Sequence, residues 1–372
     1  MANEFLGERT VVIHAPAGAR FCTTHERLVH LEIAKRIAAL KGGCFGGEFD
    51  HARAYRSQPY LVPTDTIVGI DQAHELGVFT EHDLFGGVVP HAFVGTKAIT
   101  HGLIEENATA PTGWSHDFAK IVRDIVPQGY TAFSRDDAHL AAHRLLLDHP
   151  IRIKPVKATG GRGQLVVGNV GELDSALEQV DQAQLTQFGL VLEENLGDPK
   201  TYSIGQVRLD ELVASYHGTQ NLVSNNSGRT AYGGSDLTVV RGELDSLMTL
   251  DGLSDGARLA IAQAQRYDAA AMRCFPGMIV SRRNYDVIEG TSATGRRCSG
   301  VLEQSWRIGG ATPAEITALE VLRADPGLQT VRVSSVEAYG TSPAKPANAI
   351  VYFEGVDERL GPMIKYAHVT PA

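Results

Sequence analysis

The sequence lacks the signatures of several protein classes. Its four cysteines are dispersed without C-x-x-C spacing, which argues against both a disulfide framework and a zinc knuckle. No apolar run approaches the ~18 residues that a membrane span requires. The formal net charge of −9 comes without a block of like charges, so neither a nucleic-acid partner nor a membrane partner is expected. Residues 1–10 are charged and contain no apolar signal region, which predicts a cytoplasmic protein.

Several catalytic signatures are also missing. The chain has no G-x-S-x-G elbow, so a serine hydrolase is not supported. His139 and His143 lie four residues apart on a predicted helix, but no glutamate stands beside the first, as a metalloprotease would require. Neither a Walker A loop nor a Rossmann fingerprint is present. The familiar hydrolase and dinucleotide-binding classes are therefore not indicated.

The most informative segment that is present runs over residues 151–167. Its pattern predicts two apolar strands joined by a glycine-rich basic turn with the sequence Gly160-Gly161-Arg162-Gly163. Glycines allow backbone N–H groups to approach an anion closely, and Lys154 can add a point charge. The pattern suits a mobile flap over a nucleotide triphosphate, although a plain hairpin turn is the alternative.

Acidic residues recur at three later positions of the chain. An apolar strand ending in Glu193 and Glu194 has the appearance of an interdomain hinge. Asp286 and Glu303 each lie within a predicted strand, and a short turn separates the two strands. If the strands pair in antiparallel fashion, both carboxylates can point at one place, as a magnesium site built from oxygen ligands requires. The alternative is that both are merely exposed strand residues.

In this order the motifs resemble those of the ATP-grasp superfamily, over roughly residues 110 to 320. The nearest local likeness is to biotin carboxylase, and the chain is also similar to an uncharacterised bacterial family loosely labelled biotin carboxylase. The matching segments are Ile153-Lys154-Pro155 with Gly160-Gly161-Arg162-Gly163, then Asp198-Pro199-Lys200 after the hinge, and finally Arg307-Ile308.

The resemblance implies an α/β chain with an ATP-grasp fold. Residues 1–108 are expected to form a Rossmann-like α/β domain that precedes the ATP-grasp domain of residues 109–372. A mobile lid is expected at about residues 128–192. The residues themselves agree with a small parallel unit at the start, because a strand, a helix and another strand follow one another there.

The resemblance also implies roles for particular residues. Lys154 and Arg307 are the expected catalytic groups, and Mg²⁺ (or Mn²⁺) is the expected cofactor beside ATP. Lys97 competes with Lys120 as the second lysine for the triphosphate, with Lys120 nearer the expected place. The segment 217–234 is a candidate for substrate specificity. The expected ATP-binding residues are Lys120, Lys154, Gly160, Gly161, Arg162, Gly163, Glu193, Glu194 and Leu196, and the expected metal ligands are Asp286, Glu303 and Ser305.

Two departures from the family pattern shape the functional hypothesis. Ser305 stands where the family has a metal-binding asparagine, which allows a degenerate nucleotide-binding protein as the alternative. The stretch Gly309-Gly310-Ala311 offers no general base for bicarbonate, so a biotin carboxylase is the less favoured interpretation. The sequence therefore predicts an ADP-forming ligase that activates a small carboxylate as an acyl phosphate for attack by an amine or similar nucleophile. A homodimer is a candidate assembly.

Overall fold

The computed structural model describes residues 9–16, 23–157, 163–341 and 344–370, and their elements follow one another in a mixed α/β order. The first part contains β1 Thr10–His14, α1 Thr24–Leu40, β2 Cys44–Glu48, β3 Tyr60–Pro63, β4 Ile67–Val68, α2 Ile70–Glu75, β5 Gly87–Val89 and a 3-10 helix Lys97–Thr100. The middle part contains α3 His116–Val122, β6 Gly129–Ala132, α4 Arg135–Leu146, β7 Ile151–Pro155, β8 Leu165–Val167, α5 Val170–Glu178, α6 Gln182–Phe188 and β9 Leu190–Glu194. The last part contains β10 Gly197–Leu209, β11 Leu212–Ser224, β12 Thr230–Arg241, a 3-10 helix Leu244–Thr249, α7 Asp255–Cys274, β13 Ile279–Val280, β14 Arg282–Thr291, β15 Arg297–Ser305, α8 Thr312–Ala324, β16 Thr330–Tyr339, β17 Ile350–Asp357 and β18 Gly361–Val369.

The N-terminal elements form the parallel α/β unit that the sequence predicts. The sheet has the order β2-β1-β3, and both pairings of the central strand are parallel. Helix α1 begins where the Thr23 side chain accepts a hydrogen bond from the Glu26 amide, as an N-cap should. Val29, Ile33 and Ile37 recur at helical spacing and are buried in the core beside the sheet.

A four-stranded sheet of order β6-β9-β7-β8 occupies residues 129–194. The predicted strands on either side of the glycine-rich turn pair in antiparallel fashion, with Ile151 opposite Val167. The residues Gly160, Gly161 and Arg162 lie outside the described residues. Helices α4, α5 and α6 contribute alanine and leucine side chains to the core of this unit. The site lysine Lys154 thus comes from a central strand of a small layered unit.

The eight-stranded sheet, of order β15-β14-β10-β11-β12-β16-β18-β17, carries the acidic residues. One face contributes Ile204 and Tyr285 to a core shared with α7. The other face contributes Tyr216 and Val239 to a core shared with α8. Asp286 belongs to this second face, because residues two apart on a strand point the same way and Asn284 lies in one cross-strand row with Gly205 and Tyr216.

The structure gives the secondary structure of two further segments. Most of the segment 217–234, the candidate for substrate specificity, belongs to the long antiparallel strands β11 and β12, joined by a short turn. The polar segment 172–183 spans the end of α5 and the start of α6, because Asp181 accepts a hydrogen bond from the Gln184 amide and starts a new helix. Within the described ranges no helix is both long and apolar enough to cross a membrane.

Candidate functional site

Asp286 and Glu303 lie directly opposite each other on β14 and β15, as the sequence predicts. The strands pair in antiparallel fashion, and a register irregularity follows Asp286 on β14. Residues directly opposite each other share a face of the sheet, so both carboxylates reach the same space. Asn284 donates from Nδ2 to Asp286 Oδ1 at 2.8 Å and thereby orients that carboxylate.

The two carboxyl groups have different protonation tendencies. Enclosure by the protein, followed by the negative charge of Glu303, raises the pKa of Asp286 to about 6. Enclosure also acts to raise the pKa of Glu303, but the positive charges of Lys97, Lys154 and Arg307 outweigh it and hold that pKa below its ordinary value. Two carboxylates therefore face three cationic side chains, which is an arrangement suited to a multiply charged ligand with a metal ion.

Lys97 makes the closest of these contacts. It opens the 3-10 helix that follows Thr96, whose hydroxyl accepts a hydrogen bond from the Ala98 amide. The Lys97 ammonium lies 2.5 Å from Glu303 Oε2, and its side chain is 7% exposed. Of the two lysines that the sequence leaves in competition, this is the one that the structure brings to the carboxylates. Lys120 lies on α3 with a side chain that is 67% exposed, and its nearest acidic partner is Glu106 at 3.8 Å.

Lys154 is buried on β7 and forms an ion pair with Glu193 at the end of β9. The other Glu193 oxygen lies 3.1 Å from Nε2 of His101, which is also buried. Burial alone would raise the pKa of Glu193, but Lys154 and then His101 lower it to about 2. Glu193 is therefore a carboxylate held ionised between two basic groups, and both of its oxygens are engaged.

The other residues predicted for the hinge follow Glu193 along the chain. Glu194 and Leu196 are buried. The Glu194 amide donates to the Gln128 carbonyl at 2.8 Å, and the Asn195 amide donates to the Pro150 carbonyl at 3.1 Å. The hinge is thereby fixed to the segments that precede β6 and β7. Gly163, the last residue of the predicted flap and the one that the structure describes, has φ +70°, a backbone conformation that glycine adopts without strain.

The third predicted metal ligand, Ser305, stands opposite Asn284 at the end of β15. Arg282 Nη1 donates to Ser305 Oγ at 3.2 Å and to the Arg307 carbonyl at 2.6 Å. The same guanidinium is buried and pairs with Glu315 at 2.8 Å. The Ser305 hydroxyl thus has a cationic donor beside it, which weakens its suitability as a metal ligand compared with the two carboxylates.

Arg307 follows β15 and reaches towards the N-terminal sheet. Its Nε lies 3.7 Å from Asp65 Oδ1, just beyond the end of β3, and Nη1 donates to the Ile308 carbonyl at 2.9 Å. The side chain is 32% exposed. A planar guanidinium that is one-third exposed has donors that can bind an anionic group from solution.

The donor chemistry at this place fits a magnesium ion. Mg²⁺ is commonly held by one or two protein carboxylates and completes its shell with water and phosphate oxygens. Asp286 and Glu303 supply such a pair, with Lys97 and Lys154 nearby for the phosphates. Among the described residues no group of three or more His, Cys, Asp or Glu side chains is arranged to hold a metal ion, so the pair would depend on water and phosphate oxygens for its other ligands.

The comparisons with known proteins give both a family and a fold. A family model described as "Protein of unknown function (DUF3182)" matches residues 12–367. The chain belongs to this family. A search of curated proteins finds no match.

Solved structures resemble this DUF3182 member over nearly its whole length. An N5-carboxyaminoimidazole synthetase from Staphylococcus aureus complexed with ADP is 10% identical, with 97% of this chain and 94% of that chain covered and a TM-score of 0.52. A carboxyaminoimidazole ribonucleotide synthase from Aspergillus clavatus complexed with ATP is 12% identical, with the same coverages and a TM-score of 0.51. The chain therefore has the predicted α/β ATP-grasp fold with a Rossmann-like N-terminal unit.

Sequence reasoning missed several residues that the structure brings to this region. His101 was not singled out, although it follows Lys97 by four positions in the same segment. Arg282 and Glu315 were not singled out as a pair either, yet both side chains are buried against each other. No local pattern marks these residues, since each acquires its partner through contacts between distant parts of the chain.

Proposed function

We propose that this protein is an ADP-forming, magnesium-dependent ligase that joins a small carboxylate to an amine or similar nucleophile. The observation that supports this most is the placing of Asp286 and Glu303 opposite each other, with cationic groups on Lys97, Lys154 and Arg307 around Glu303. The ATP-grasp fold agrees with this reaction class, while the reaction itself is inferred from the site.

In this proposal Lys97 and Lys154 bind ATP, whereas Arg307 binds the acid. Lys97 and Lys154 bind the phosphates of ATP through their ammonium charges. Glu193 holds Lys154 in place through their buried ion pair, while Glu194 and Leu196 frame the adenine. A magnesium ion on Asp286 and Glu303 would neutralise the charge that develops on the phosphates.

Arg307 is the residue that binds the acid substrate in the proposed site. Its planar guanidinium binds the carboxylate of the acid in a position where a carboxylate oxygen can attack the γ-phosphorus of ATP, which releases ADP and leaves an acyl phosphate. The nucleophile then attacks the carbonyl carbon and releases phosphate. No titratable side chain follows Arg307 in Gly309-Gly310-Ala311, so a role with bicarbonate and biotin is not proposed.

An assay of ADP formation tests the proposal. Purified protein is supplied with Mg²⁺, ATP and pooled small acids and amino acids, and the pools are then divided to find the active pair. We expect a stimulated rate that Glu303→Gln abolishes and that Glu354→Gln, a change at an exposed glutamate, leaves unchanged. Arg307→Lys should lower the coupled rate more than it lowers ATP affinity. ADP formation that survives Glu303→Gln would place the metal elsewhere and refute the proposed site.

A second candidate, a nucleotide-binding protein without catalysis, is favoured by one observation. The hydroxyl of Ser305 accepts a hydrogen bond from the buried guanidinium of Arg282, so the metal site has one ligand fewer than the family pattern supplies. This candidate predicts saturable Mg-ATP binding without ADP formation for any pool.

A further inference from the structure

A row of polar side chains crosses the face of the eight-stranded sheet that carries the two acidic residues. Cross-strand partners and residues two apart on one strand share this face, so its membership follows from the register. Gln220 Nε2 donates to Ser203 Oγ at 3.2 Å, and the Gln220 side chain also hydrogen-bonds to Asp286. From β14 to β16 the row consists of Asp286, Ser203, Gln220, Ser235 and Ser335.

The row ends in a charged pair on the C-terminal strands. Glu337 lies two residues after Ser335 on β16, and Lys365 lies directly opposite Glu337 on β18. The two side chains form an ion pair and are 11% and 10% exposed. An ion pair so enclosed gives up much of its hydration, and its net contribution to stability is often small. We therefore look for a role of the Glu337–Lys365 pair in binding rather than in stability.

Tyr232 links the polar row to the loop that follows Arg307. The hydroxyl of Tyr232 contacts Ser235 Oγ at 2.7 Å and Ser335 Oγ at 3.5 Å, within the row. A Cβ atom on Gly310 would lie 2.4 Å from the Tyr232 ring, so the backbone of the loop that follows Arg307 packs directly against this tyrosine. Enclosure and then the charge of Glu337 raise the pKa of Tyr232, which agrees with the closeness of that carboxylate.

The positive charges of Lys365 and Arg307 both act on His30, a half-buried residue of α1. Burial, followed by the positive charges of Lys365 and Arg307, lowers the pKa of His30 to about 3. Lys365 is thus a further basic side chain in the region of Arg307, and its counter-ion Glu337 is on the neighbouring strand.

We propose that Lys365 binds an oxyanion, a carboxylate or phosphate group, on the nucleophilic substrate of the ligase. Glu337 holds the ammonium in position while that substrate is absent, and the substrate oxyanion takes the place of Glu337 as the partner of Lys365. The assignment of this group to the nucleophile rests on the proposed function. The binding of an oxyanion at Lys365 does not require turnover, so it can be tested separately.

The test titrates MgADP-saturated protein with inorganic phosphate, followed by ³¹P NMR, and with [¹³C]acetate, followed by ¹³C NMR. We expect saturable binding of at least one anion that Lys365→Met weakens by about tenfold, the loss of one charge-assisted contact. Glu337→Gln should strengthen binding, because it removes the carboxylate that competes for the ammonium. Lys345→Met is the matched control, because Lys345 pairs with Glu354 in an exposed ion pair on the same part of the chain.

Several results would overturn this proposal. One is an anion affinity that is the same in Lys365→Met and in the wild type. This result is expected if phosphate binds only beside Lys97 and Lys154. Another is an absence of saturable binding for both anions. A third is weaker binding in Glu337→Gln, the result expected for a purely structural ion pair, and this variant decides the matter if Lys365→Met does not fold. Should MgADP itself not bind, the proposed function fails, while the same titrations without nucleotide still test Lys365.

Discussion

At the scale of single residues, the structure distinguishes two lysines that the sequence could not. Lys97 is nearly buried against Glu303, whereas Lys120 is exposed beside Glu106. We predict that Lys97→Ala weakens Mg-ATP binding by about tenfold or more, since it removes a charged contact to phosphate. Lys120→Ala should leave the affinity within about twofold, because exposed ion pairs contribute little. Calorimetric titration with Mg-ATP measures the affinity of both variants. A larger loss of affinity in Lys120→Ala than in Lys97→Ala would indicate that Lys120 binds the triphosphate instead.

Asp286 gives a second prediction at the residue scale, through the effect of pH. Its pKa is raised to about 6 in the folded protein, so the folded state binds its proton more tightly than the unfolded chain does. This contribution to stability is present below the unfolded pKa and is lost as pH rises through about 6. In the absence of metal, Asp286→Asn should therefore raise the free energy of unfolding at pH 8 by on the order of 1 kcal/mol.

Urea unfolding at pH 4 and pH 8, with EDTA and with Mg²⁺, measures the effect of Asp286→Asn. The gain should shrink at pH 4, where the wild-type carboxyl is protonated. Mg²⁺ should stabilise the wild type more than the variant, because the ion binds the ionised carboxylate. A variant that is less stable than the wild type at pH 8 without metal would contradict the proposed repulsion between Asp286 and Glu303.

At the scale of elements, the ion pair between Lys154 and Glu193 joins the two central strands of the four-stranded sheet to His101. Glu193→Gln removes a buried charge and leaves Lys154 without its counter-ion, so we predict a loss of about 3 kcal/mol in the free energy of unfolding. The exposed Glu354→Gln change should reduce it by less than about 1 kcal/mol. Because the pKa of Glu193 is lowered to about 2, this stabilisation is complete above its ordinary pKa and is lost as pH falls towards 2. Equal effects of the two changes in denaturant unfolding at pH 7 would count against the buried pair as a stabilising contact.

The elements also show what the sequence could and could not predict. Strand alternation within 283–288 and 298–303 was enough to place Asp286 and Glu303 on adjacent strands, because a short turn joins those strands. The glycines, asparagines and serines of 217–234 gave no sign of the long strand β11, because its antiparallel pairing with β10 and β12 involves segments on either side along the chain. The contacts of His101 with Glu193 and of Glu337 with Lys365 depend on the packing of distant segments, for which no local pattern exists.

At the scale of the whole molecule, the proposed nucleotide site draws its residues from three units. The four-stranded sheet supplies Lys154, the eight-stranded sheet supplies Asp286 and Glu303, and the 3-10 helix after the N-terminal unit supplies Lys97. A ligand that contacts residues from all three units should raise the free energy of unfolding of the whole molecule. At a hundredfold excess over Kd, binding to the native state alone adds about 2.7 kcal/mol to the free energy of unfolding.

We therefore predict that Mg-ATP raises the melting temperature of the wild type, and that bicarbonate with biotin does not increase ADP formation. The first expectation follows from the convergence of Lys97, Lys154 and Glu303 on one place. The second follows from Gly309 and Gly310, which provide no side chain to take the proton of bicarbonate. Thermal unfolding with and without Mg-ATP, and an ADP assay with bicarbonate and biotin, make the measurements. A melting temperature that millimolar Mg-ATP leaves unchanged would refute the nucleotide site, whereas biotin-dependent turnover would leave that site intact and show that the base comes from elsewhere in the cleft.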